Sequence, residues 1–171
     1  MKKLFFVLTL AVFSVMSSWA QKYAFIDTEY ILDNIPSYHA AQEELDQTSL
    51  KYQKELEGMR ENLEKMYKDF QAEKVLLSED MRRKREDVII TSEKEYKQLQ
   101  QKYFGPNGDL FRKRQSLIKP IQDDIFNAIS EIGENGGYAV IFDKASGTTL
   151  IFTNPRYDLS DQVLERLGYK N

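Results

Sequence analysis

From Tyr38 to Phe70 the chain holds one pattern. Tyr38, Ala41, Leu45, Thr48, Tyr52, Leu56, Met59, Leu63, Met66 and Phe70 follow one another at steps of three or four residues. Side chains so spaced share one face of an α-helix, and the Glu, Lys, Gln and Asp between them belong in water. A second series runs Met81, Val88, Ser92, Tyr96, Leu99, Tyr103, and a third runs Ile118, Ile121, Ile125, Ala128, Ile132. Between the first two stands Leu77-Ser78-Glu79-Asp80, where Ser78 is a natural helix N-cap. The spacing predicts a helix from about Ser37 to Leu77, a tight turn, and a return helix to about Ile132. At about 1.5 Å per residue the outgoing helix reaches roughly 60 Å. One apolar stripe on each helix lets the pair close as an antiparallel coiled coil, with Met59, Met66 and Phe70 in the seam.

The return helix carries two interruptions. Gly105-Pro106-Asn107-Gly108 is expected to break or kink it, and Pro120 to add a second kink. Two readings of the first break stay open, a bending point or a local loop without a mechanical role.

Outside residues 36–132 the composition changes to β-branched and aromatic residues with glycines between. Tyr23 to Ile26, Tyr138 to Phe142 and Thr149 to Phe152 read as strands, the last two joined by Asp143 to Thr148 with Gly147 in the turn. Gly136-Gly137 ends the long helix. A final helix from about Ser160 to Leu167 carries Val163, Leu164 and Leu167 on one side, with Gly168 as its stop. The fold class is therefore α+β, a helical hairpin of residues 36–132 inserted in a small body built from residues 21–35 and 133–171.

That body is short of core. Three short strands and one short helix bury too little to stand alone. Strands carrying Tyr23, Phe25, Ile26, Val140, Ile141, Phe142, Leu150, Ile151 and Phe152 would also leave apolar edges open. Pooling strands from several chains cures both defects, so a homo-oligomer is expected.

The amino terminus addresses the chain for export. Met1-Lys2-Lys3 is basic, Leu4 to Met16 is almost wholly apolar, and Ser18-Trp19-Ala20 ends in small residues. Such a segment is a secretory signal, here expected to be cut after Ala20, because an apolar run of about 13 residues falls short of the roughly 20 that a spanning helix needs. The mature chain, residues 21–171, is then expected to be soluble.

Charge and composition exclude several chemistries. The chain has no cysteine, which rules out disulfides, thiolate metal sites and a cysteine nucleophile. There are 24 basic and 27 acidic residues; losing Lys2 and Lys3 with the leader leaves a formal charge of −5. A nucleic-acid coat shows the opposite balance. His39 is the sole histidine and cannot build a usual metal site alone. Gly133-Glu134-Asn135-Gly136-Gly137 lacks the spacing and lysine of a phosphate loop and reads as a helix stop. Asp27, Asp143 and Asp158 fall at element ends, where turn and cap roles are the default. Neither an enzyme nor a cofactor is expected.

What a two-helix seam cannot accommodate is a candidate binding surface. Val75, Leu76 and Leu77 stand in succession at the tip, Ile89 and Ile90 extend Val88 on the return helix, Tyr67 adjoins Met66, and Tyr103 and Phe104 adjoin the break. The competing reading is that these residues close the tip and pack around the break. Lys74, Arg82, Arg83, Lys84 and Arg85 form a basic patch near the tip against Glu79 and Asp80, for which an ordinary solvated helix face is the preferred reading.

The opening Tyr23-Ala24-Phe25-Ile26-Asp27-Thr28-Glu29-Tyr30-Ile31-Leu32-Asp33-Asn34-Ile35-Pro36 resembles that of the Skp or OmpH family of periplasmic chaperones. So does the ending, Gly137-Tyr138-Ala139-Val140-Ile141-Phe142-Asp143 and then Asp158-Leu159-Ser160-Asp161-Gln162-Val163-Leu164. The resemblance covers essentially the whole mature chain. It implies a homotrimer in which strands of three chains make a small intersubunit β-barrel, with helical hairpins around a cavity. It also implies a periplasmic holdase that works without ATP and binds unfolded outer-membrane β-barrel proteins before their assembly. This chain departs from the strongly basic members by being acidic, which argues against direct lipopolysaccharide or membrane-surface binding. An exported coiled-coil spacer or adaptor of an envelope complex would share the leader, the hairpin and the acidity. It would bind one folded partner tightly, whereas a holdase binds many unfolded ones loosely.

Overall fold

The computed structural model describes residues 22–147 and 150–169. The expected signal segment lies outside them. The order of elements is β1 (Lys22–Ile26), α1 (Thr28–Asp33), α2 (Pro36–Glu73), α3 (Glu79–Phe104), α4 (Asp109–Gly136), β2 (Tyr138–Asp143), a 3-10 turn (Pro155–Tyr157) and α5 (Ser160–Arg166). The chain divides into two compact units, residues 35–124 and the segments on either side of them. Among the described residues no helix is long and apolar enough to cross a membrane.

The unit of residues 35–124 is a helical hairpin. Pro36 occupies the first turn of α2, where its missing amide is no loss. The inner face of α2 follows the predicted series: Ala41, Leu45, Leu56 and Leu63 are buried, and Tyr38, Thr48, Tyr52, Met59, Met66 and Phe70 are half-buried. The helix ends at Glu73, four residues before the expected Leu77, and residues 74–77 form the turn. Ser78 caps α3 by accepting a hydrogen bond from the Met81 amide.

On α3 the expected phase is off by one residue in the first half. The spacing places Met81 and Val88 inside, yet they are 54% and 53% exposed, whereas Ile89 is 5% exposed. Arg82, Glu86 and Glu93 are half-buried at the spacing that Ile89, Tyr96 and Tyr103 continue. The reason is the run Val88-Ile89-Ile90. Three consecutive apolar residues fit any phase, and Tyr96 and Tyr103 downstream set which one faces inward.

α3 stops at the predicted break. Gly105 donates its amide to the Gln101 carbonyl and Gly108 donates to the Gly105 carbonyl. A Cβ on Gly105 would come within 2.3 Å of the Gln101 oxygen, and one on Gly108 within 2.8 Å of the Lys102 and Tyr103 oxygens. The joint is a tightly wound turn that admits only glycine at both places. Beyond it Gly108 accepts from the Arg112 amide and opens α4. Ile118 packs with Ala41 and Leu45 in a small cluster that Tyr38, Leu110, Leu117 and Ile121 complete.

Pro120 does not end the helix; α4 runs through it to Gly136. Ser116 and Pro120 are both exposed, so water meets the carbonyl that loses its bond. The expected stop at residues 133–137 resolves to its last member. Gly133 and Gly136 are helical, and Gly137 turns the chain at φ +66°.

In the other unit β1 and β2 pair in parallel, with Phe25 opposite Phe142 and Ile26 opposite Asp143. One face of this two-stranded sheet is closed by Ala24 and Ile26, both buried, as are Ile31 of α1, Val163 and Leu164 of α5, and Ile125, Ala128 and Ile132 of α4. The expected third strand is not formed. Leu150, Ile151 and Phe152 have irregular backbone, with Ile151 96% and Phe152 80% exposed; Thr149 lies outside the described residues. A strand needs a neighbour for its amides and carbonyls, and among the described residues none pairs with this segment.

Candidate functional site

Two surfaces stand out, one in each unit. On the hairpin, the expected binding residues divide by environment. Val75 and Leu76 are 88% and 87% exposed in the tip turn, and Ile90 is 60% exposed. Tyr67 and Phe104 are also exposed, and Leu77 is half-buried. Tyr67 keeps its ring in solvent while its hydroxyl donates to a Glu93 carboxylate oxygen across the hairpin. That hydrogen bond to a carboxylate raises the phenol above its ordinary range.

Ile89 and Tyr103 do not belong to this surface. Both are buried, which corrects the expectation that they stand free. Tyr103 lies flat on Tyr52 and donates from its hydroxyl to Glu55 at 2.8 Å. Ile89 fills the seam at the level where Val88 points away.

The basic patch is largely spoken for. Arg82 and Arg83 both reach Glu79, at 3.6 and 3.7 Å, and Arg85 reaches Glu73 at 3.3 Å. Counting Glu73, Glu86 and Asp87 with Glu79 and Asp80, residues 73–87 carry as many acids as bases. The five cations thus do not make an uncompensated positive field. The Nε of Arg82 is the one buried side-chain nitrogen or oxygen among the described residues without a hydrogen-bond partner.

The second surface is the outer face of the sheet. Tyr23, Phe25, Val140, Phe142 and, from the 3-10 turn, Tyr157 gather there. The Phe25 and Phe142 rings stack at 5.8 Å, Tyr23 meets Phe25 edge-on at 6.1 Å, and Tyr23 lies 5.5 Å from Tyr157. All but Phe25 are at least 40% exposed. Ile26, named with them from the sequence, points to the buried side and Ile141 is half-buried, as strand alternation requires. In the same unit two further apolar side chains, Ile151 and Phe152, are exposed. Among the described residues the far edge of β2 has no partner strand.

Beneath this face a polar network fixes the strand ends. The Asp143 carboxylate accepts from the Thr28 amide at 3.1 Å and the Thr28 hydroxyl at 2.7 Å. Lys144 donates to Asp158 at 2.7 Å and pairs with Asp27 at 3.6 Å. Ser160 gives its hydroxyl to Asp158 and accepts from the Asp27 amide. Burial pushes the Asp158 carboxyl up, but hydrogen bonds from Lys144 and Ser160 outweigh it and hold it below the ordinary range. The hydrogen bond to Asp158 raises Lys144, against some loss of solvation. Asp27 also caps α1 by accepting from the Tyr30 amide. The three aspartates therefore serve structure, as their positions predict. Lys144 and Ser160 carry no sequence signal of this role.

Among the described residues no cluster of side chains is suited to hold a metal ion. The arrangement offers apolar contact at the hairpin and on the sheet.

Comparison with known proteins agrees with this architecture. The sequence matches the family model described as outer membrane protein (OmpH-like) over residues 22–167. No curated protein matches it. The fold is similar to that of a crystal structure from Caulobacter crescentus CB15, provisionally described as an outer membrane chaperone (OmpH-like). The TM-score is 0.67 at 15% sequence identity, covering 86% of this chain and 83% of that one. With both described strands, all five described helices and the hairpin among them inside the matched span, the chain belongs to the OmpH-like outer membrane protein family.

Proposed function

We propose that this protein is a periplasmic holdase chaperone that works without ATP and shields unfolded outer-membrane β-barrel proteins from aggregation. The carrying observation is the set of aliphatic and aromatic side chains left in solvent along the hairpin, foremost Val75 and Leu76, in a chain of the OmpH-like family. A β-barrel protein before insertion exposes apolar residues at alternate positions along its whole length. Separate weak contacts cover such a chain without reading its sequence, and their multiplicity supplies affinity while each remains easy to break. Release then needs no nucleotide.

The working form proposed is a homotrimer. Residues 21–35 and 133–171 form its assembly body and residues 36–132 its arms, with clients held between the arms of neighbouring subunits. The support is the open aromatic face of Tyr23, Phe25, Val140, Phe142 and Tyr157, together with the edge of β2 and Leu150-Ile151-Phe152, both unpaired among the described residues. A lone protomer leaves this much apolar surface wet, and a neighbouring copy offers the missing strand partner. Residues 1–20 act as the export signal.

Pull-down from envelope extract with the leaderless protein, joined to sedimentation of the purified protein, tests this reading. Recovery of many different β-barrel proteins by a trimer supports it. Recovery of a single folded partner would instead identify a spacer or adaptor, and a stable monomer would remove the cavity.

A further inference from the structure

We propose that Asn107, in the wound turn between α3 and α4, is a site of spontaneous covalent modification. Its side-chain amide is lost through a succinimide, which leaves aspartate or isoaspartate at the joint of the return helix. The proposal does not depend on what the protein binds.

The reaction needs only water. The backbone nitrogen of the following residue gives up its proton and attacks the asparagine Cγ. A bond forms between that nitrogen and Cγ, the bond from Cγ to the side-chain nitrogen breaks, and ammonia leaves carrying the proton. Water then opens the ring at one carbonyl or the other. One opening gives aspartate, the other isoaspartate, whose main chain runs through Cβ and is one atom longer. Attack is least hindered where the following residue is glycine, which has no Cβ and the freest backbone. The chain holds two such pairs, Asn107-Gly108 and Asn135-Gly136, and both asparagines are exposed.

The local fold separates the two pairs. Asn135 and Gly136 lie inside α4. Lys22 Nζ donates to the Gly136 carbonyl at 3.0 Å, and the Tyr138 ring covers Gly136 so closely that a Cβ there would stand 2.3 Å from a ring carbon. Reaction at Asn135 must unwind the end of the helix and release both contacts. Asn107 is outside the helices. Its neighbour's amide is held by the Gly105 carbonyl at 2.9 Å, so opening this turn alone frees the nitrogen to attack. Segments held by few bonds open at the lowest free energy. Arg112 also donates from Nη1 to the Asn107 carbonyl. That contact draws charge from the peptide group and eases loss of the proton on the Gly108 nitrogen. Packing in turn requires glycine at 108, where a Cβ would lie 2.8 Å from the Lys102 and Tyr103 oxygens. The reactive pair is thus built into the joint.

The test ages the folded protein lacking residues 1–20 in warm, mildly alkaline buffer and digests samples with trypsin over time. Peptide 103–112 reports Asn107 and peptide 115–144 contains Asn135; fragmentation locates each change and separates isoaspartate from aspartate. Conversion at Asn107 should be at least about ten-fold faster than at Asn135, the ratio that roughly 1.4 kcal/mol of barrier height produces. Isoaspartate should be among the products. In guanidinium chloride, where neither site is folded, the two should convert at similar rates. Asn107→Gln should leave peptide 103–112 unaltered over the same period. Equal rates in the folded protein, faster conversion at Asn135, or a preference for Asn107 that persists unchanged in guanidinium would overturn the proposal. So would a folded protein in which Asn107 stays intact while the unfolded chain converts.

Discussion

Tyr52 and Tyr103 lie face to face across the hairpin, their ring centroids 3.8 Å apart and their planes within 4°. The pair stands immediately before the wound turn of Gly105 to Gly108, with Phe104 edge-on to Tyr52 at 6.2 Å. α2 passes this level without interruption, so the stack ties the return helix to α2 just before its break. Tyr103→Ala should lower the thermal midpoint of the helical circular-dichroism signal by several degrees. Tyr103→Phe, which keeps the stack and loses only the bond to Glu55, should lower it much less.

Phase along α3 gives a second contrast. Ile89→Ala should destabilise the hairpin by about 2–4 kcal/mol, the usual range for emptying a buried aliphatic site. Val88→Ala, one residue earlier and in solvent, should stay within about 0.5 kcal/mol. Urea unfolding of the two variants decides between the observed seam and the one that spacing alone predicts.

Glycines in the hairpin differ as sharply. A Cβ on Gly58, in the exposed middle of α2, would touch nothing within 4 Å. Gly58→Ala should stabilise by about 0.5–1 kcal/mol through the loss of backbone freedom in the unfolded chain. Gly105→Ala meets the Gln101 backbone and should destabilise, with reduced helicity as the readout.

The Lys144 network predicts a pH window. Asp158 is held below its ordinary range, so its contribution is fully present above the unfolded carboxylate value of about 3.9 and is lost as pH falls through the lower folded value. Lys144 is raised, so its contribution is fully present below the unfolded value of about 10.4 and is lost as pH rises through the higher folded value. Lys144→Met should cost about 1–2 kcal/mol at neutral pH and abolish the alkaline share of the decline. Chemical unfolding across the pH range measures both effects.

Much of the hairpin is legible in the sequence because its contacts are periodic. On α2 only Ala40 beside Ala41 and Tyr67 beside Met66 are apolar neighbours of a seam position, and the predicted face is the buried one. On α3 the run Val88-Ile89-Ile90 hides the phase, which only the fold of the downstream tyrosines reveals. Leu150-Ile151-Phe152 has the chemistry of a strand, yet pairing is a property of a neighbour that a single chain does not provide. The network of Thr28 with Asp143 joins residues 115 apart in sequence, and no local pattern encodes such a meeting. The exposed tip residues Val75 and Leu76 are legible as surplus to the seam; that Ile89 and Tyr103 are not surplus is a matter of helix rotation.

Light scattering gives the most direct test of the central claim. An outer-membrane β-barrel protein is diluted out of urea with and without a molar excess of the protein lacking residues 1–20, in the absence of nucleotide. The account predicts that turbidity is suppressed and that client and chaperone then sediment together. Turbidity that rises as fast with the protein as without it would contradict the account.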